Sequence, residues 1–82
     1  KMETRTLSAI ATEALACDTL KGNARVYAGA YLEPMTTLDT VHDTYGMDSA
    51  RSIVAYALSN LSAWRGDDAR RIKAELNAHL KG

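Results

Sequence analysis

Asp39, His42 and Asp43 stand at i, i+3 and i+4. On a helix, that spacing puts all three on neighbouring parts of one face. A carboxylate there could orient the imidazole as a general base, and the group could contribute ligands to a divalent metal. Ligands from one helix do not complete a site, because functional sites need partners converging from other elements. The only other histidine, His79, lies in a different segment. The bland alternative is a solvated acidic face whose histidine borders the core.

Other chemistry is harder to assemble. Serine, histidine and aspartate are all present, but no GxSxG-type elbow marks a nucleophile. Cys17 is the single cysteine and sits in an alanine-rich stretch with no histidine close in sequence, the setting of a buried, inert thiol. One thiol forms no intramolecular disulfide and no thiolate metal cluster. The glycines are scattered, so no phosphate-cradling loop can be drawn. The pattern points away from enzymatic activity and to no cofactor or metal.

The run WRGDDARRIKAEL gathers Arg65, Arg70, Arg71 and Lys73 around one segment. As a functional feature it is an anion-binding surface, with the last two helices arranged as a DNA-reading pair. Against this, Asp67, Asp68 and Glu75 are interleaved at spacings that pair within a helix, Asp67 and Glu75 each four positions from Arg71. Acidic residues gather instead in the middle of the chain, at Glu33, Asp39, Asp43 and Asp48. On opposite faces the two sets would make the protein an electric dipole suited to a charged partner; together they would neutralise each other.

Helices must position these groups. Leu7, Ile10, Ala11, Ala14 and Leu15 predict a first helix from about Thr6, its N-cap, to about Lys21, with Gly22 at C′. Gly22-Asn23 turns the chain, and no alternating strand precedes it to make a hairpin. ARVYAGA reads as an extended link or a helical turn. A second helix is predicted from around Ala30 to Glu33, with Pro34 near its start, running to Gly46. Its core stripe is Tyr31, Met35, Leu38, Val41 or His42, and Tyr45, with Leu32 widening it. Asp48 or Ser49 caps a third helix reaching Asn60 or Leu61, with Ala50, Ile53, Val54, Ala57, Leu58 and Leu61 on its apolar face. The fourth starts between Ser62 and Asp67 and runs to about Leu80, burying Ala69, Ile72, Leu76 and Leu80 or His79, with Trp64 across its first turn. The predicted fold is all-α: one domain, a bundle of about four short helices.

Composition sets the outer limits. Eighty-two residues make a single small domain, one that buries about 60–65% of the surface of its unfolded chain. Hydrophobic content of 46% suits a globular chain and excludes a disordered one. A formal net charge of zero argues against a dedicated nucleic-acid binder, whose affinity rests on phosphate neutralisation. No apolar run approaches the ~20 residues of a membrane span, and no signal-peptide pattern appears. With its lone thiol, the chain is expected in the cytoplasm. Lys1 ahead of Met2 reads as a residue added for expression, with Met2 the natural start. Any apolar remainder of the third helix would mark a homodimer contact.

Three stretches, YAGAYLEPM, YGMDSARSIVAYALSN and AWRGDDARRIKAEL, resemble a group of small proteins of bacteriophages and other mobile elements. In that group a Y-x-G-A-x-x-Y-L-like stretch leads to Y-G-x-D-S, S-I-V-x-Y and W-R-G-x-x-A-R-x-I-K-x-E-L. The matching residues include Tyr27, Gly29, Ala30, Tyr31 and Leu32, then Tyr45, Gly46, Asp48 and Ser49, then Ser52, Ile53, Val54 and Tyr56. Trp64, Arg65, Gly66, Ala69, Arg70, Ile72, Lys73, Glu75 and Leu76 complete the match. Pro34 departs from the pattern, in which the proline precedes the Tyr-Leu pair, and leaves the start of the second helix open. The group lends no catalytic residues. By analogy of size and setting, the resemblance implies an inhibitor of a host system, such as an anti-CRISPR protein that binds a CRISPR effector subunit and blocks target DNA. Glu33, Asp39, Asp43 and Asp48 would then face the partner's DNA-binding surface, with Trp64 and Arg65 as anchors or Trp64 as core. The alternative is a small DNA-binding or regulatory protein using Arg65, Arg70, Arg71 and Lys73.

Overall fold

Thr6 opens the first helix, and its Oγ1 accepts a hydrogen bond from the Ala9 amide at 3.1 Å. The computed structural model describes residues 4–81; the expected start at Met2 lies outside the described residues. Helix α1 spans Leu7–Ala16, shorter than predicted. Cys17 turns into extended backbone, and the poor helix formers Asp18 and Thr19 follow. The turn still delivers Leu20 to the core. Gly22, expected past the end of α1, instead sits at the head of α2 with a φ of 66°.

Helix α2 spans Gly22–Met35 and corrects the prediction at both ends. The stretch 24–30, open between an extended link and a helical turn, is helical, because Ala28, Leu32 and Met35 continue one buried stripe back from the Tyr-Leu pair. Pro34 stands in the last turn, not the first. Its ring offers no N–H to the preceding turn and crowds it, so the helix ends one residue later. The chain unwinds through tighter bonds, from the Thr36, Thr37 and Leu38 amides to the carbonyls of Glu33, Pro34 and Met35.

The segment after Met35 was expected to stay helical as far as Gly46 and is a loop followed by a hairpin. Strands β1 (Thr44–Tyr45) and β2 (Asp48–Ser49) pair antiparallel, Thr44 opposite Ser49 and Tyr45 opposite Asp48. Gly46 and Met47 make the two-residue turn. Gly46 has a φ of 62° and no non-glycine residue has positive φ, the pattern of a type II′ turn with glycine first.

Ser49 caps α3 (Ala50–Ser59), its Oγ accepting from the Ser52 amide at 3.1 Å. Helix α4 spans Asp67–Lys81. Four helices make up 63% of the described residues, so the chain is mostly helical and close to the small helical bundle expected, with one short two-stranded hairpin added. Helix α2 packs chiefly on α3 and next on α1, while α4 packs on α1 and α3. Leu7, Ile10, Leu32, Met35, Val54, Leu61, Ile72 and Leu76 are fully buried where these elements meet. Trp64 joins them as core, its Nε1 donating to Thr19 Oγ1 at 2.9 Å.

The loop between α2 and β1 has its own structural task. Carbonyls of Asp39 and Leu38 accept from the Leu7 and Ser8 amides at 2.9 and 2.7 Å. Thr6 supplies Oγ1 to Ala9 and its carbonyl to Ile10. The Leu7, Ser8 and Ala9 amides, which the start of α1 leaves without helical partners, are thereby satisfied, and Ile10 makes the first helical bond. No helix is long and apolar enough to cross a membrane among the described residues.

Candidate functional site

The acidic set does not form a helical stripe. Glu33 is exposed on α2, Asp39 and Asp43 lie in the loop, and Asp48 is exposed in β2. Asp43 turns its carboxylate inward on its own loop, where one oxygen accepts from the Asp39 amide at 2.8 Å and the Thr40 amide at 3.0 Å. Those two bonds, the Thr40 amide first, hold the Asp43 carboxyl below the usual carboxylate range. The predicted Asp39–His42–Asp43 face therefore has no helix to carry it, and His42 is exposed with its amide bonded to Thr40 Oγ1. Among the described residues, no group of three His, Cys, Asp or Glu side chains is placed to hold a metal.

The basic set divides. Arg71 reaches Glu13 on α1 and also contacts Asp68 and Glu75 on its own helix. Arg5 joins the same cluster, bridging Glu13 at 2.8 Å and Glu75 at 2.7 Å. Flanked by Arg71 and Arg5, the Glu13 carboxyl is pulled down to about 2 from its ordinary 4.5. Arg5 and Arg71 are pushed further up in return. Arg71 is thus a structural cation that ties α4 to α1. No ion pair among the described residues involves Glu33, Asp39, Asp43 or Asp48, so the two charge groups do not neutralise each other in pairs.

Arg65, Arg70 and Lys73 remain together. They line an open groove of about 500 Å³ at the corner between Leu61 and α4, with Ser62 and Asn77 among its polar walls. Lys73 is fixed there by donating to the Leu61 carbonyl at 2.9 Å. Arg70 makes only a long contact with Asp67, 3.3 Å between two solvent-exposed side chains, an arrangement of little energetic weight.

A different surface runs along the outer seam of α2 and α3. Tyr31 and Tyr56 meet across it with ring centroids 5.5 Å apart and planes tilted by 32°. Tyr27, one turn before Tyr31, is 60% exposed, and Tyr56 is 57% exposed. Ala30 on α2 and Ser52 and Ser59 on α3 are also open to solvent. None of these positions carries a charge. Tyr31, expected in a core stripe, is half-buried and packs against the core, while Tyr27, expected in a link or a helical turn, stands open on α2. The signal was available in the i, i+4 spacing of Tyr27 and Tyr31, and in Tyr56 falling outside the apolar face of α3. Tyr45, also assigned to the core, is 48% exposed in the hairpin, beside the fully open Met47.

Cys17 is half-buried at the end of α1 with Sγ 4.0 Å from Asp68 Oδ2. Desolvation, helped by that carboxylate, pushes its thiol up and away from a reactive thiolate. His79 is buried, and its Nε2 lies 2.7 Å from the Arg5 carbonyl, which makes it a fastener of the segment ahead of α1.

Comparison with family models, with curated proteins and with solved structures finds no match to this chain.

Proposed function

We propose that this chain is a non-enzymatic protein-binding module that inhibits its partner by covering a working surface. The carrying observation is the uncharged tyrosine seam of α2 and α3, with Tyr27 and Tyr56 largely open and Tyr31 stacked against Tyr56. Tyrosine supplies a large, stiff contact area at low entropic cost, and small serines beside it adapt the hydrogen bonding. Interface centres are depleted in charge and enriched in such aromatics. Glu33, Asp39 and Asp48 remain exposed around the rest of the surface and would steer a basic partner. The resemblance to phage and mobile-element proteins makes a CRISPR effector subunit the partner to test first, as an anti-CRISPR protein would require.

Capture from lysate of a CRISPR-bearing host tests this directly. The wild-type chain is expected to recover an effector subunit, and Tyr27→Ala/Tyr56→Ala to lose it. Recovery of no CRISPR or other defence component overturns the inhibitor reading. Recovery that survives the tyrosine changes but fails after Glu33→Lys/Asp39→Lys/Asp48→Lys removes the seam as the contact and returns it to the acidic set.

A further inference from the structure

The groove at the start of α4 belongs to neither the tyrosine seam nor the acidic set. Its volume, about 500 Å³, falls within the roughly 300–1,000 Å³ of ligand clefts. Three cations line it: Arg65, Arg70 and Lys73. Arg65 has no ion pair among the described residues, and Arg70 has only its long, exposed contact with Asp67. Lys73 is held by the Leu61 carbonyl, which spends one of its three N–H donors and leaves two. This cluster contrasts with Arg5 and Arg71, whose guanidinium groups are occupied by Glu13 and Glu75. The protein has matched its other clustered cations internally and left these facing a cavity.

We propose that this groove binds an acidic peptide segment of a partner protein, with side-chain carboxylates received by Arg65, Arg70 and Lys73. A nucleic acid fits less well for two reasons. The carboxylate oxygens of Asp67, whose side chain is 97% exposed, stand beside Arg70. A duplex presents about one charge per 1.7 Å of axis and cannot steer its phosphates around them. An extended peptide places same-side groups about 6.6 Å apart, from a rise of about 3.3 Å per residue, and can omit a charge where an aspartate stands. Single strands are held chiefly by stacking on aromatic faces, whereas Trp64, the aromatic residue at the groove, is 3% exposed.

Titrating a capped hexaglutamate peptide into ¹⁵N-labelled protein tests the assignment. Saturable shifts are expected at the amides of Ser62, Arg65, Arg70, Lys73 and Asn77. Arg65→Ala/Arg70→Ala should weaken binding at least about tenfold, the loss of one or two charge-assisted hydrogen bonds. Arg65→Lys/Arg70→Lys keeps charge and fold but not the bidentate fork, and should weaken it less. Arg71→Ala and Tyr27→Ala/Tyr56→Ala should leave peptide affinity unchanged, which separates this site from the tyrosine seam. The proposal is overturned by unsaturable or scattered shifts, by equal loss in Arg71→Ala, or by single- or double-stranded DNA binding the groove more tightly than the peptide.

Discussion

Arg5 grips Glu75, seventy positions later, with two parallel hydrogen bonds: Nε to Oε2 at 2.8 Å and Nη2 to Oε1 at 2.7 Å. The forked geometry gives the segment before α1 a defined seat on α4, and the Arg5 carbonyl against His79 Nε2 adds a second point of attachment. Because Glu13 and Arg71 share the cluster, two helices and the leading segment are joined in one charged lattice.

Replacing Arg5 should therefore loosen the chain at both ends. Arg5→Ala is expected to cost about 1 kcal/mol, the upper range for an exposed pair, since the Arg5 side chain keeps 38% of its exposure. Arg5→Lys should recover only part of it, because an ammonium cannot reproduce the bidentate fork. Chemical denaturation of both variants and of Glu75→Gln checks the claim; additive losses in a double-mutant cycle would show that the pair contributes nothing of its own.

Acid should dissolve the same lattice. Glu13 titrates at about 2 in the folded chain against an ordinary 4.5. A depressed carboxyl contributes stability that is complete above its unfolded value and is lost as pH falls through the folded one. Stability should thus decline from about pH 4.5 towards pH 2, and Glu13→Gln should flatten that decline while lowering stability at neutral pH. Thermal unfolding from pH 7 to pH 2 for both proteins is the measurement.

Two glycines should respond oppositely to a methyl group. At Gly46, where φ is 62° and the surroundings are open, a Cβ meets backbone strain, and Gly46→Ala is expected to cost about 1–2 kcal/mol. At Gly29, inside α2, an added Cβ would come 2.7 Å from Arg25 Nη1, the far end of a flexible side chain. That end can swing away, so Gly29→Ala should be neutral or stabilise by up to about 1 kcal/mol through helix propensity. Comparing the two melting temperatures tests both assignments.

The contrast between those glycines also explains what the sequence reveals and what it conceals. Helices α1, α3 and α4 are legible because capping residues and strong apolar stripes agree: Thr6 before Leu7, Ser49 before Ala50, and Asp67 and Asp68 at the head of α4. Helix α2 is concealed because Gly22, Gly29 and Pro34 all read as breakers, while its buried side uses Ala28 and Gly29, which carry little apolar signal. Downstream, Leu38 and Val41 are buried from a loop, yet their spacing of three continues the helical period from Met35. The hairpin offers only two residues per strand, all exposed, so no alternation announces it. Gly46 could equally end a helix or start a II′ turn. Of the site residues, Arg71 is marked in sequence by acidic partners four positions away on its own helix, Asp67 and Glu75, but nothing there announces Glu13. The packing of α1 on α4, which brings Glu13 to Arg71, makes that residue the structural cation and leaves Arg70 available.

Asp43 offers the sharpest test of how the loop supports the fold. It was a candidate docking residue, but its carboxylate instead closes the 39–43 turn by accepting from two backbone amides. That turn positions the Asp39 carbonyl, which with its neighbour Leu38 caps the first two amides of α1. Asp43→Ala should therefore act at a distance along the chain. Hydrogen exchange at the Leu7 and Ser8 amides is expected to accelerate about tenfold, while the amides in the middle of α4 keep their protection, because the opening is local and not global. Asp43→Asn retains an acceptor oxygen without the charge and should give an intermediate rate. Unchanged exchange at Leu7 and Ser8 in Asp43→Ala would show that the buried Leu38 and Val41 hold the loop unaided, and would free the Asp43 carboxylate for a partner after all.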